Sequence, residues 1–540
     1  MTAPPRALPR ARSRSTRAQR ISAIDIGSNS IRQIIADVSA DGAIRVLDEL
    51  KAAPRLGAGI VKKGVMGEAS MVEAIESLRR MVTLAQQFKA RRIEVVATSA
   101  VRVASNAAEF LERVRRATGI KPRVLAGEEE AMLAFRSALA HFDLGSGRAV
   151  VMDIGGGSLE LALSADGLLE RLSSLPYGAI RMTEQYIGQN PSARKVERLR
   201  KSIRADLRRA LPLRDWRGAT IIGSGGTFTN LAGIYLARRG MHVRSVQGTR
   251  VPRAELVHII EWLSELTPEE RGAVPGLNPA RADIIIAGLG VAAEVLSRLE
   301  AREVIVSAFG IREGLLLDAA RIMPSVSDPG EARAKSVRSF ADRCHFEAPH
   351  ATQVQRLSLE IHDAIGKRLG AVQGDRELLA DAALLHDVGY HIGYDKHHKH
   401  SFHLISHAEL LGMSPEEKAA VAHIARYHRG STPSRKHESF IALDRALRDR
   451  IVRLAAILRV ADGLDRGHVG AVDHVRVRFG PRALRIIAFP KRGAGGMRLE
   501  LWGASRKAGM LEDVAGMPVE ISGPDGVVVR EGATEAAAVG

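Results

Sequence analysis

The chain has 540 residues and a formal net charge of +18, with 79 Lys and Arg against 61 Asp and Glu. An apolar share of 45% suits a soluble globular protein with sizeable cores, and no apolar run is long enough for a transmembrane helix. The single cysteine, Cys344, excludes an intramolecular disulfide framework and fits a reducing compartment, while an aromatic share of 4% argues against base stacking along single-stranded nucleic acid.

Residues 1–20 carry six arginines, three prolines and no acid, which reads as a disordered basic tail. The tail has no apolar core of the kind a secretory signal needs, so the expected compartment is the cytoplasm. The length suggests about three or four domains beyond it.

A first α/β subdomain is expected over 21–146. It opens with a buried strand at 21–24 that enters Asp25-Ile26-Gly27-Ser28-Asn29-Ser30. A strand at 93–97 leads to Thr98, Arg102 and Asn106, and a short strand at 124–125 precedes Gly127-Glu128-Glu129-Glu130-Ala131 at a helix start. A second subdomain, 147–320, repeats the plan. A strand at 149–152 enters Asp153-Ile154-Gly155-Gly156-Gly157-Ser158-Leu159-Glu160, and a hairpin is expected through Leu175-Pro176-Tyr177-Gly178. A long helix follows at 194–211. A strand at 219–222 then enters Gly223-Ser224-Gly225-Gly226-Thr227, and a strand at 304–306 enters the segment ending Gly310-Ile311-Arg312-Glu313-Gly314. Strands alternating with helices imply mixed or parallel sheets with helices on their faces.

The two Asp-Ile-Gly loops stand 128 residues apart. Each places a carboxylate at a strand end beside a small turn whose free N–H groups suit an anion, while the aspartate suits a divalent cation. Two such loops in successive units point to a duplicated phosphate-binding cleft. Asp153 and Glu160 fall on the two arms of one hairpin, facing one cleft. On the 194–211 helix, Arg194, Arg198, Lys201, Arg204 and Arg208 share one face and Val196, Leu199, Ile203 and Leu207 the other. That basic face is either plainly solvated or a track for a polyanion.

A linker is expected over 321–335, then an all-helical domain over 336–470, a small α+β domain over 471–530 and a tail over 531–540. Ten of the 18 histidines fall between His386 and His437. His350, His386-Asp387 and Asp462 appear in the order of HD phosphohydrolases, which resemble this segment and hold a divalent metal on such a set. Imidazole with carboxylate suits Mn, Fe or Zn better than Mg. His400, His407 and His428 are candidates for a second metal position.

Taken together, the six core motifs resemble those of the exopolyphosphatase/guanosine pentaphosphate phosphohydrolase (Ppx/GppA) family, in its long form with an HD-type helical domain. The resemblance implies a duplicated actin/hexokinase-like (ribonuclease H-like) α/β core, followed by an all-α HD-type domain and a small α+β domain. It implies Glu130 as the base that readies a water, chosen over Glu129 by the following Ala131, with Arg102 on transition-state phosphate charge. Asp153 and Glu160 would hold Mg2+. Backbone amides of Gly27, Ser28, Asn29, Ser30, Gly155, Gly156, Gly157 and Ser158 would grip the terminal phosphate. Asp25 would either touch the metal's water shell or brace its turn. Gly223, Ser224, Gly225, Gly226 and Thr227 would form a third anion loop.

The implied activity is release of terminal orthophosphate from inorganic polyphosphate. The close alternative is removal of the 5′-terminal phosphate of guanosine pentaphosphate, a step of the stringent response. A reading from another class is a nucleotide-sensing module with a vestigial core. The expected partners are polyphosphate or guanosine pentaphosphate and a second copy in a homodimer, without membrane or specific nucleic acid.

Overall fold

The computed structural model describes residues 18–526 apart from 41, 143, 145–146, 189, 212–215, 242–244, 323–328, 409, 411 and 494–495. Residues 1–17, the expected tail at 531–540 and residues 323–328 of the expected linker therefore lie outside the described residues. A first compact unit takes the chain as far as Arg238 and again from Val246; a second takes Arg239–Ser245 and the chain from Pro329.

The first unit contains two sheets built to one plan. In the first, β1 (Gln19–Ile26), β2 (Ile31–Val38), β3 (Ile44–Ala52), β4 (Arg92–Ala97) and β5 (Arg123–Val124) lie in the order β3-β2-β1-β4-β5. In the second, β6 (Arg148–Ile154), β7 (Leu159–Ala165), β8 (Leu168–Leu175), β9 (Thr220–Ser224), β10 (Arg250–Pro252) and β11 (Glu303–Val306) lie in the order β10-β11-β9-β6-β7-β8. Strands β8-β7-β6-β9-β11 reproduce the first sheet's order, with two antiparallel joints followed by two parallel ones. The central strands are apolar on both faces: Ile21, Ala23, Ile24 and Ile26 of β1 and Val150, Val151, Met152 and Ile154 of β6 are buried. Helices covering both faces require this near-continuous apolar run.

Strand β1 begins at Gln19, inside the expected basic tail. The hairpin expected at 175–178 lies earlier. Strands β7 and β8 are joined through Asp166 and Gly167, both with positive φ (50° and 75°), the backbone that a tight two-residue hairpin turn needs. Residues 176–178 instead lead into the helix Ala179–Met182.

In the second unit, helix Pro329–Arg343 starts within the expected linker. Helices Ala348–Ile365, Asp375–Leu385, His397–His407, Pro415–Arg426 and Arg445–Gly463 follow. Strands β12 (Val472–Phe479), β13 (Leu484–Pro490) and β14 (Val519–Ser522) form a small sheet, with helices Arg498–Lys507 and Gly509–Ala515 in the crossover to the parallel β14. Leu484, Ile486 and Leu511 join Val354, Leu385 and Ile457 in one buried cluster, so helical bundle and sheet share a core.

Candidate functional site

Each Asp-Ile-Gly loop is closed by the same backbone bond. Gly27 N–H donates to Ser30 O at 3.1 Å, and Gly155 N–H donates to Ser158 O at 3.0 Å. The loops close on one another: a Cβ on Gly156 would stand 2.9 Å from Ser28 Cβ, and one on Gly157 would stand 3.0 Å from Ser28 Oγ and 2.4 Å from Ser99 Oγ at the head of the helix Ser99–Val103. Only glycine permits that approach. One cleft is lined by both loops together with Asp25, Arg32, Glu130, Asp153, Glu160, Gly225, Gly226, Arg281, Gly310, Arg312 and Glu313.

The strand ladders position its charges. Asp153 lies directly across from Glu160 on β6 and β7, as expected for a pair sharing one face. At the matching place on β1 and β2, Asp25 lies across from Arg32. The duplicated unit thus carries an acid at the seventh position after one aspartate and a base at the seventh after the other. Ser224 Oγ donates to Asp153 Oδ2 at 2.6 Å, and Ser174 Oγ donates to Glu160 Oε1 at 3.0 Å.

The three consecutive glutamates separate cleanly. Glu129 is exposed, accepts the Ala126 N–H at 2.7 Å and meets Arg123 at 2.6 Å, so it caps its helix. Glu130 is buried and reaches the cleft, where Arg102 pairs with it while donating to Leu125 O at 2.8 Å. Arg102 does not itself line the cleft; its guanidinium stands behind Glu130.

The third loop divides between contact and support. Gly225 and Gly226 line the cleft, whereas Gly223 backs onto the Phe228 ring and Thr227 Oγ1 donates to Ile154 O at 3.4 Å. A Cβ on Gly226 would fall 2.0 Å from Arg281 Cζ, so this glycine makes room for a buried guanidinium. Arg32, Arg281 and Arg312 are cleft arginines that sequence reasoning missed. Two left a signal: Arg32 by its place seven residues after Asp25, mirroring Glu160 after Asp153, and Arg312 by lying within the Gly310–Gly314 motif.

The carboxyl groups are raised by burial. Burial, then the nearby Glu160, pushes Glu130 up to about 9; burial, reinforced by Asp153, pushes Glu160 up to about 8. Burial brings Asp25 to about 6 against the pull of Arg312 and Arg32, and it raises Asp153 as well. Asp25 Oδ1 and both polar atoms of the Asn29 side chain are buried without a hydrogen-bond partner. Clustered, desolvated carboxyls with an unpartnered oxygen fit a hard divalent cation such as Mg2+.

A second convergence lies in the helical unit. His350, from Ala348–Ile365, His386 and Asp387, just past Asp375–Leu385, and Asp462, near the end of Arg445–Gly463, come together as expected. Asp387 Oδ2 stands 3.4 Å from His386 Nε2 and 3.7 Å from His350 Nε2. His350 Nδ1 bonds Asp465 Oδ2 at 2.8 Å, orienting the ring from behind. Burial would lower His350, but its bonds to Asp462 and Asp465 push it up to about 9. Burial lowers His397 and takes His428 well below the usual range.

Of the candidates for a second metal position, only His428 joins the cluster. His407 is exposed at its helix end, with Nδ1 2.7 Å from His403 O, and His400 is not among the clustered groups of the described residues. His397 stands there instead, 3.3 Å from Asp387 Oδ1. Five histidines crowd residues 397–407, and helical phase selects the one that faces inward.

Among the described residues no helix is long and apolar enough to cross a membrane. Residues 34–322, more than half of the chain, match the Ppx/GppA phosphatase family, and residues 332–480 match Ppx/GppA phosphatase, domain III. A guanosine-5′-triphosphate,3′-diphosphate pyrophosphatase of Vibrio vulnificus is 28% identical over 440 residues, covering 81% of this chain and 86% of that protein. Among solved structures, an exopolyphosphatase-like protein is 27% identical with a TM-score of 0.53, covering 56% of this chain and 98% of its own. An exopolyphosphatase from Cytophaga hutchinsonii, 24% identical with a TM-score of 0.53, covers 57% of this chain and 100% of its own and shares the fold. The chain belongs to the Ppx/GppA phosphatase family and is a hydrolase of phosphoric anhydrides.

Proposed function

We propose that the cleft removes the terminal phosphoryl group of inorganic polyphosphate by attack of water and releases orthophosphate. The observation that carries this reading is Glu130, a buried carboxylate aimed into an amide-lined, arginine-bearing cleft. Phosphoryl transfer asks a protein chiefly to position the phosphate, neutralise charge and orient the nucleophile. Glu130 would orient the water and take its proton; a carboxyl raised toward 9 is a stronger base once ionised. The water oxygen bonds to the terminal phosphorus and the bridging P–O bond breaks. Arg102 would hold Glu130 in place. Ser28, Asn29, Ser30 and the turn at 155–158 would grip the phosphate oxygens, with Arg32, Arg281 and Arg312 carrying further charge.

Asp153 and Glu160 would hold Mg2+, with Asp25 bordering its water shell. When bound, the ion would neutralise phosphate charge and fix its orientation. In the helical unit, His350, His386, Asp387 and Asp462 would hold a Mn, Fe or Zn ion in an HD-type arrangement. The protein would work in the cytoplasm as a homodimer.

A second substrate reading has its own support. The Vibrio relative, matched over 86% of its length, is named for guanosine pentaphosphate, which would tie this chain to the stringent response. Phosphate release from long-chain polyphosphate and from guanosine pentaphosphate, measured side by side with Mg2+, separates the two. Polyphosphate turnover at least tenfold the faster is expected, and the reverse order transfers the assignment to the nucleotide.

A further inference from the structure

Glu130 and the acid pair of the cleft stand on separate elements, and one side chain lies between them. Glu130 rides on the helix Gly127–His141, whose residues Ala134, Phe135 and Ala138 pack with Ala149, Val151 and Ala162 of the second sheet. The start of that helix comes down on β8. A Cβ on Gly127 would fall 2.3 Å from both Cβ and Oγ of Ser174 and 3.7 Å from Arg102 Nη2. Gly127 is not among the glycines of positive φ, so it is needed for space rather than for backbone freedom.

Ser174 also lies directly across from Glu160 in the β7–β8 ladder, and its Oγ donates to Glu160 Oε1 at 3.0 Å. It does not line the cleft, so its influence passes through the groups it touches. A donor on one carboxylate oxygen fixes the plane of the group and thereby aims the other oxygen, which is how outer hydrogen bonds orient a metal ligand. Glu130 stands three residues beyond Gly127, within one helical turn, so a shift of the helix start reaches its carboxylate almost undiminished. Serine suits both contacts. Alanine would fit beneath Gly127 but donate nothing, and threonine or asparagine could donate but would bring further atoms into a contact that a glycine already closes.

We propose that Ser174 is a positioning residue for phosphoanhydride hydrolysis: its hydroxyl fixes Glu160 and its Cβ seats the first turn of the Glu130 helix on Gly127, so one side chain sets the spacing between the Mg2+ ligand and the base. The proposal deepens the reading of Glu160 as a Mg2+ ligand and Glu130 as the base, and it rests on that reading. Arg102 holds the same helix start through Glu130 and Leu125 O, which leaves Ser174 as the contact that ties it to the metal side. A misplacement of about 1 Å at reacting groups costs about 10²-fold in rate, so the joint is read in turnover and in Mg2+ affinity.

The test uses three variants of the full-length protein, with circular dichroism checking the fold of each. Ser174→Ala keeps the seat and removes the donor: the Mg2+ dissociation constant from titration calorimetry should rise about tenfold, with KM for polyphosphate at saturating Mg2+ unchanged. Gly127→Ala closes the seat, and kcat at saturating Mg2+ should fall about 30-fold. Adding Ser174→Gly to Gly127→Ala makes room for the new methyl group and should recover about tenfold of that loss, a compensation that two residues show only when they touch. Unchanged Mg2+ affinity in Ser174→Ala, or a double variant no faster than Gly127→Ala, overturns the proposal. An Asp153→Asn protein that keeps the parent's Mg2+ heat, or a Glu130→Gln protein with the parent's turnover, overturns instead the reading of the cleft on which it rests, so the two failures are distinguishable.

Discussion

The two acidic constellations solve the problem of buried charge in opposite ways. In the phosphate cleft, burial first and then neighbouring acids hold Glu130 and Glu160 up at about 9 and 8. In the histidine cluster, burial also opposes ionisation of Asp462, yet Lys507 and the imidazoles pull that carboxyl well below its usual range. The cluster carries its own cations on the chain. The cleft carries arginines, but its carboxyls still outweigh them. A site that must accept both a cation and a polyanion is better left with unmet charge of each sign than neutralised in advance. The same contrast recurs inside the core, where Arg32 occupies the place that Glu160 has in the other half.

The strongest way to break this comparison is at Glu130. Glu130→Gln preserves volume and removes the base, so kcat for phosphate release should fall by about 10³-fold while substrate binding is retained, the range general-base catalysis supplies. Stopped-time phosphate assays with a binding measurement on the same protein check it. A loss of binding equal to the loss of turnover would make Glu130 a binding group instead.

Proton linkage comes next. Carboxyls that hold protons to about 8 and 9 must release them when a cation binds, so Mg2+ affinity of the core should rise with pH. Between pH 6 and 8 the gain should approach about tenfold per pH unit for one proton released. Titration calorimetry in buffers of different ionisation enthalpy counts the protons directly. A pH-independent affinity would show that neither glutamate meets the ion.

The third prediction concerns the inverted pair. Arg32→Ala should raise KM for the phosphate substrate about tenfold with a smaller change in kcat, because a guanidinium facing bound phosphate adds affinity in the ground and transition states alike. Arg32→Lys should recover only part of it, since an ammonium lacks the planar fork. Equal losses in kcat and kcat/KM would place Arg32 on the reacting phosphoryl group alone.

How much of this was legible in the chain follows from the range of the interactions. The paired loops and Glu130 at its helix start were readable because each signal is local, a strand, a small turn and a fixed spacing, whereas the His350, His386, Asp387, Asp462 set was readable only from the order of its ligand types along the chain. Glu129 and Glu130 were separable only by a following alanine, whereas burial and the cap divide their roles at once. Arg281 was illegible because it reaches the cleft from the short helix Pro279–Arg281, far along the chain and with no motif of its own, whereas Arg312 lay within the Gly310–Gly314 motif but was given no role there. His397 was hidden among its neighbours because one turn of helical phase decides which imidazole meets Asp387. The hairpin was misplaced although Asp166-Gly167 is itself a strong two-residue turn signal; Pro176 and Gly178 were read instead, yet the β7–β8 register leaves only Asp166 and Gly167 to turn.

The smallest effect is expected on the basic face of helix Ala193–Ala210. Its buried side is Val196, Leu199, Ile203 and Leu207, as the periodicity predicted. Arg194, Arg198, Lys201 and Arg208 are exposed, but Arg204 is drawn off into ion pairs with Glu294 at 2.7 Å and Glu197 at 3.3 Å. What remains is a row of solvated charges, worth little each and screened by salt. Replacing Arg194, Arg198 and Arg208 together by Gln should raise KM for long-chain polyphosphate about threefold at low ionic strength, where the summed field still acts. The difference should vanish near 0.5 M salt, where the screening length falls to a few ångströms. A short-chain substrate, gripped only at its terminal phosphate, should be unaffected at either salt. An equal effect on short and long chains would mean that the face contributes a general potential around the cleft rather than a path along which a polymer lies.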